Sequence, residues 1–327
     1  MKILAPGIER FDVGGGATFL RNFAKAMQPF GNELFGDVAR DDYDVLFIAG
    51  ASLCDRDVFE RAVRNGKKIV IRVDNILEDK RNRNSGMPRM IEFASKADLI
   101  IYQSEWARKF LSPIIGDGPV VHNGVDTSIF HPSNEYLKKE IHEPRTFVYS
   151  KFSRGDGKNV NEVVQWWREH HIRRPQDKIF FIGKYSDDTF QVNHPFEFHN
   201  NEQWEYLGMR NDQEALAEEL RRFDYAILPY FADACSNQIL EAQACGLPVL
   251  YDHSGGTPEI AWAGEEIRHD MWLNRDELID RLDGMKKTIF DNPGSIKTFS
   301  LEKMGAKYNA MFRILFQMDG GAIEAEE

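Results

Sequence analysis

Short apolar runs recur along the 327-residue chain, each broken by polar residues and followed by apolar positions three and four apart. Lys2–Ala5, Asp44–Ala49, Lys68–Val73, Asp98–Gln103 and Val120–His122 read as strands, with helices over Phe19–Met27, Val58–Arg64, Pro88–Ser95 and Glu105–Leu111 between them. Such alternation predicts a doubly wound parallel sheet, because parallel neighbours need a crossover and a helix supplies it. His131–Pro144, with two prolines and many charges, reads as a connection between domains. A second alternation follows, with strands at Thr146–Ser150, Lys178–Gly183, Glu205–Gly208, Tyr225–Pro229 and Val249–Asp252 and helices at Val160–His170 and Asp212–Arg222. Arg275–Met285 and Leu301–Phe316 have the spacing of amphipathic helices, and Gly320–Glu327 reads as a disordered acidic tail. The expected domains are 1–132 and 146–300 with a linker at 133–145; the helix at 301–318 is open to returning to the first domain, ahead of the tail at 319–327. No internal repeat is visible.

The densest chemistry lies just after the strand Tyr225–Pro229, from Asp233 to Glu241 and on through Ala244–Val249 to Gly255-Gly256-Thr257-Pro258-Glu259. Ser236 is placed to cap a helix whose packed side is Ile239, Leu240, Ala242 and Ala244, and Gly246 and Pro248 end it. The first amides of that helix, at Ser236, Asn237 and Gln238, suit a phosphate. Asp233 stands just before the helix, and Glu241 lies roughly 7–8 Å along it at 1.5 Å per residue. Two acids could thus hold hydroxyls on either side of a bound phosphate. A capped core helix with an exposed Asp and a paired Glu would leave the same short pattern.

Composition narrows the class. With 42% hydrophobic and 28% charged residues the chain is an ordinary globular protein, and no apolar run approaches the roughly 18 residues of a membrane span. Its start reads as a first strand rather than a signal peptide. Three cysteines, Cys54, Cys235 and Cys245, form no disulfide framework and no metal-ligand spacing, so a reducing, cytoplasmic setting is expected. A net charge of −11 argues against a broad nucleic-acid surface.

Other motifs weigh less. Gly14-Gly15-Gly16 before a helix could let backbone approach a ligand, but it sits too far past the first strand for the dinucleotide fingerprint and lacks that pattern's third glycine. Asp55-Arg56-Asp57 looks like a metal-holding Asp-x-Asp, yet it opens a helix, where acids are favoured by the dipole alone. No histidine stands at zinc spacing, so no metal is assigned. Arg154 and Lys158, in the glycine-bearing turn after the strand Thr146–Ser150, could reach one diphosphate, Arg as a fork and Lys as a point charge.

With these residues in view, the chain resembles the retaining GT-B glycosyltransferases of glycosyltransferase family 4. The likeness is carried by Tyr206–Met209, Asp224–Pro229, the two acids with seven residues between them, Ala244–Val249, Gly255–Glu259, Ala97–Trp106 and His122–Asp126 with Phe130-His131-Pro132. The resemblance implies a GT-B architecture of two Rossmann-like domains facing a cleft, a nucleotide-diphosphate sugar donor on the second domain and an acceptor on the first. It implies hexosyl transfer with retention, without a metal or other cofactor, because cations and a helix end stabilise the leaving group. It gives Glu241 the donor ribose, Asp233 the sugar hydroxyls, Ser236 and Asn237 the phosphates, Arg154 and Lys158 the departing diphosphate, Met209 the base, and Gly15 and Gly16 a close backbone approach.

Two positions depart from the family. Asp233 stands where Glu is usual, and Arg72-Val73-Asp74-Asn75 stands where a histidine is common. Asp74 then either faces the sugar in place of that histidine, or pairs with Arg72 or caps the next helix. The acceptor, whether glycan, lipid-linked or small molecule, and any peripheral membrane contact are left open. A nucleotide-sugar epimerase of the same fold and a non-catalytic nucleotide-sugar-binding protein are the alternative readings.

Overall fold

The structure is a computed structural model that describes residues 1–9, 15–74, 86–133, 138–151, 159–183, 202–210, 212–267 and 274–317. Arg154, Lys158 and the acidic tail lie outside the described residues. The chain divides into two compact units, Met1–Gly124 with Phe299–Glu327, and Val125–Thr298.

In the first unit β1 (Lys2–Leu4), β2 (Glu33–Phe35), β3 (Val45–Ile48), β4 (Lys68–Val73) and β5 (Leu99–Tyr102) form a parallel sheet in the order β2-β1-β3-β4-β5. Ile3 pairs with Val45, and Val70 with Leu99. Helices α1 (Gly15–Met27), α2 (Arg56–Arg64), α3 (Met87–Ala94) and α4 (Glu105–Ile115) connect the strands. The strand order reverses between β1 and β3, so the loops after those two strands border the crevice where ligands of open α/β sheets bind.

Two of the strands in the first unit differ from the sequence expectation. Glu33–Phe35 is an additional strand, three residues long and too short for alternation to reveal. Val120–His122 makes only a single bridge, Val120 to Tyr102, because Pro119 precedes it and offers no N–H to a ladder.

The second unit repeats the plan. Its parallel sheet runs β11-β10-β9-β6-β7-β8, built from β6 (Thr146–Lys151), β7 (Lys178–Gly183), β8 (Trp204–Gly208), β9 (Tyr225–Leu228), β10 (Val249–Tyr251) and β11 (Gly264–Glu266). Its helices are α5 (Val160–Arg173), α6 (Gln213–Leu220), α7 (Asn237–Ala244), α8 (Thr257–Ile260) and α9 (Arg275–Asp291). Here the order reverses between β6 and β9. The loop bearing Arg154 and Lys158 follows one of these strands in sequence, and the turn bearing Asp233 follows the other.

The units divide at Gly124, before the expected boundary at 132, and residues 138–145 are bound into the second unit rather than left as a linker. Ion pairs around the buried Arg145 and Asp224 tie them in. Arg145, fully buried, donates to Asp283 (2.8 Å), to the hydroxyl of Tyr225 (3.1 Å) and to the carbonyl of Glu143 (2.8 Å). Asp224 accepts from Lys139 (2.6 Å), Lys286 (3.1 Å) and the amide of Thr146 (2.9 Å). Burial alone would raise the Asp224 carboxyl; the two lysines outweigh it and hold the group below the usual range. Removing one partner from such a network strands a buried charge.

The last helix, α10 (Leu301–Gln317), belongs to the first unit. Tyr308 and Phe312 join Phe19, Phe23 and Phe47 in its core; Phe23 stacks on Phe47 at 4.3 Å and meets Tyr308 edge-on at 5.0 Å. At Gly305 the helix comes so near α1 that a Cβ would stand 2.8 Å from the carbonyl carbon of Ala26. Backbone cannot give way as a side-chain tip can, so Gly305→Val should cost about 1–3 kcal/mol, read as a lower urea midpoint.

A pH dependence follows from His170. Its ring packs against those of both Trp166 (4.9 Å) and Trp167 (5.1 Å), and Nε2 meets Asp177 at 2.8 Å. Burial pushes the imidazole down from 6.5 to about 4, against the pull of Asp177. The unfolded chain therefore binds more protons between these values. This share of stability is present above pH 6.5 and is lost as pH falls towards 4, about 3 kcal/mol at most. Urea unfolding at pH 7, 5.5 and 4.5 should show the slope, and His170→Gln should flatten it.

Candidate active site

In the second unit the polar turn begins where β9 ends. Tyr230, fully buried, donates its hydroxyl to the carbonyl of Ser150 at the end of β6 (2.6 Å). Burial raises the phenol well above its ordinary value, and Asp233 and Glu241 raise it further, so it remains a neutral donor beside two acids. Asn159, in a left-handed conformation, donates to the carbonyl of Pro229 (2.7 Å).

The chain then turns sharply at Ala232, whose φ of 47° is unusual for a residue with a Cβ. Its amide donates to the Ser254 hydroxyl (2.8 Å), and Asp252 accepts from the amide and hydroxyl of Ser254. Asp233 follows. Its carbonyl accepts from the amide of Gly256 (2.9 Å), and its Oδ1 accepts from the amide of Cys235 (3.2 Å). Gly255, at φ 82°, lies so near that a Cβ would stand 2.7 Å from the Asp233 nitrogen. The Gly255-Gly256 pair is therefore the surface on which the Asp233 backbone rests.

Ser236 occupies the N-cap of α7 with extended dihedrals, and its side chain makes no capping hydrogen bond to the helix amides. The cap predicted from the sequence is thus met in position and not in bonding. Gln238, expected at the donor, points its amide to the Ser150 hydroxyl (3.1 Å), which makes it a brace between α7 and β6. Asn237 is half-buried, and Glu241, 5% exposed, sits one turn into α7. Gly246, at φ 91°, ends the helix as expected. Met209 follows β8 and is half-buried.

In the first unit the corresponding edge carries Gly15, Gly16, Asp74 and Arg72. Gly15 opens α1 with empty space where a Cβ would be, and a Cβ on Gly16 would meet Leu53 at 3.3 Å. Arg72, buried on β4, donates to the carbonyl of Ala49 (2.9 Å) and to Asn123 (2.8 Å), and its guanidinium lies 3.6 Å from the centre of the Phe19 ring. Two residues on, Asp74 lies on the same strand face, against Gly50. Asp55 takes the N-cap of α2, again without a side-chain bond.

Sequence reasoning missed the braces Ser150, Tyr230, Asp252, Ser254 and Asn123. It also missed Gln243, which is fully buried, donates to the carbonyls of Ile239 and Ile260, and accepts from the amide of Ala263. A polar residue among the apolar positions of α7 was the available signal for it. Among the described residues no three His, Cys, Asp or Glu side chains gather as metal ligands would, and no helix is long and apolar enough to cross a membrane.

Comparison with known proteins bears on the fold and the class of enzyme. Residues 144–282 match the family model of the glycosyl transferases group 1. No curated protein sequence is a detectable relative. Among solved structures, HepE of Anabaena in complex with UDP and glucose is 14% identical with a TM-score of 0.70, the alignment covering 95% of this chain and 99% of that one. Sucrose-phosphate synthase of Thermosynechococcus elongatus gives 14% and 0.70, covering 97% and 99%. AviGT4, a glycosyltransferase involved in avilamycin A biosynthesis, gives 13% and 0.66, covering 96% and 98%. Likeness at this identity carries the fold, which is GT-B. With the group 1 domain in its second unit, the chain is a glycosyltransferase.

Gly255→Ala tests the turn. At that φ a Cβ is strained, and the neighbouring atoms are the Asp233 backbone. The variant should lose about 1–3 kcal/mol in urea unfolding, whereas Ala232→Gly should gain up to about 1 kcal/mol by relieving the left-handed Ala.

Proposed function

We propose that the second unit binds a nucleotide-diphosphate sugar and that the enzyme moves its sugar, with retention, to an acceptor held by the first unit. The observation that carries this reading is the start of α7. Ser236 stands at its N-cap with extended dihedrals and no capping bond from its own side chain, in a turn flanked by Asp233 and Glu241 at the reversal of a parallel sheet. A diphosphate oxygen fits the first amides of the helix. Glu241 then takes the ribose hydroxyls and Asp233 a sugar hydroxyl, while Met209 lies near the base. Asp233 also accepts from Cys235, so its carboxylate is drawn back towards its own turn, in keeping with the shorter side chain at this position.

Nearly all of the net charge of −11 belongs to the second unit. A diphosphate there is held by local donors rather than by a general field, which gives Arg154 and Lys158 their role as the charge that stabilises the leaving group. No metal is called for in this scheme. The bond from the anomeric carbon to the diphosphate breaks, an acceptor oxygen bonds to that carbon from the same face, and the acceptor's proton passes to the departing phosphate. Asp74 faces the sugar or the acceptor from the first unit. HepE was solved with UDP-glucose, which makes uridine nucleotides the first donors to test.

The test is a thermal-shift series with UDP-glucose, UDP-N-acetylglucosamine, GDP-mannose and ADP-glucose. A true donor at about 100 times its Kd adds about 2.7 kcal/mol of stability. Glu241→Ala should abolish the shift without lowering the ligand-free midpoint by more than a few degrees. No shift with any nucleotide sugar, or an unchanged shift in Glu241→Ala, would overturn the reading.

A further inference from the structure

The loop after β3 is built around an absence. Gly50 is buried at the carboxyl end of that strand, and the Asp74 carboxylate, from the end of β4, lies over its bare Cα. A Cβ there would stand 2.7 Å from Asp74 Cγ and closer still to Oδ2. The glycine is not required by its own backbone: at φ −174° and ψ 141° it is extended, a conformation open to any residue. What the position requires is room.

The rest of the neighbourhood is fixed. Arg72 holds the carbonyl of Ala49, the residue before Gly50, and is itself held by Asn123 and by the face of Phe19 on α1. Gln103 donates to the carbonyl of Val73, the residue before Asp74 (2.9 Å). Both strand ends are therefore pinned through their backbones, so a side chain at position 50 would press on the Asp74 carboxylate rather than shift the strands.

We propose that Gly50 is the positioning residue for Asp74: its missing side chain is the seat that sets where the carboxylate sits at the sheet reversal of the first unit. The functional half of this inference rests on the reading that Asp74 faces sugar or acceptor. Any side chain at position 50 meets the flexible end of Asp74 rather than backbone, so the relief that costs least is rotation of the acid away from its seat. Gly50→Ala should leave the fold intact and misplace one carboxylate.

Two measurements test this. In the first, UDP release from UDP-glucose is followed for Gly50→Ala, Asp74→Ala and the double variant, with thermal midpoints as the control for folding. Gly50→Ala should slow release about tenfold or more, which is about 1.4 kcal/mol, and add nothing in the Asp74→Ala background. Independent losses that multiply would overturn the proposal. In the second, ligand-free protein carrying 13C-carboxyl aspartate is titrated by NMR, the Asp74 resonance being assigned by its loss in Asp74→Asn. Gly50→Ala should move that resonance and its titration; an unmoved resonance would overturn the seat. If Asp74→Ala leaves UDP release untouched, or UDP-glucose is not turned over, the role of Asp74 or the choice of donor fails by itself, and the resonance still decides the seat.

Discussion

The hydrogen bond from the Tyr230 hydroxyl to the Ser150 carbonyl joins the ends of two strands at the point where the sheet of the second unit reverses direction. Parallel strands end in loops whose amides and carbonyls no longer have ladder partners, so each must find another partner or meet water. Tyr230 supplies one, Gln238 braces the same serine through its hydroxyl, and Asn159 takes the carbonyl of Pro229. With these contacts made, the turn from Ala232 to Ser236 keeps its shape although no regular structure spans it. The positions of Asp233 and Glu241 are consequences of that bracing.

The same division of labour appears in the first unit with different groups. There a guanidinium takes the role of the phenol: Arg72 spans the end of β3, the segment at Asn123 and the first turns of α1. Burying such a charge is costly, and these hydrogen bonds and the aromatic face offset the cost. Both units thus hold their carboxyl edges with a large side chain that is itself out of water, and leave an acid beside it.

How much of this the sequence revealed follows from the range of the interactions. Strands such as Val45–Ile48 and Tyr225–Leu228 were legible because both faces are buried and the runs are unbroken. The turn after Tyr225–Leu228 was legible because serine, glycine and the two acids act locally, within one helix and its caps. The strands Glu33–Phe35 and Gly264–Glu266 were not, since three residues at a sheet edge carry no period. Residues 138–145 looked like a linker because charges and prolines usually mean solvent; Lys139 and Arg145 are in fact spent on Asp224 and Asp283, about eighty-five and about one hundred and forty residues away. Gly50 was illegible for a similar reason: its purpose is a carboxylate on another strand, and no local rule asks for a glycine where the backbone is extended.

The placement of α10 has a consequence for the order in which the protein can be made. The second unit is one continuous stretch, Val125–Thr298, and all of its strands and helices are synthesised before Leu301 is added. The first unit, although its sheet is synthesised before the second unit, lacks Tyr308 and Phe312 until α10 is made. Its ring cluster around Phe23 and Phe47 must wait with one side uncovered while the later unit closes its own core. The core of the first unit is therefore completed only after the whole of the second has been synthesised, and a chaperone acting during synthesis would find exposed surface there.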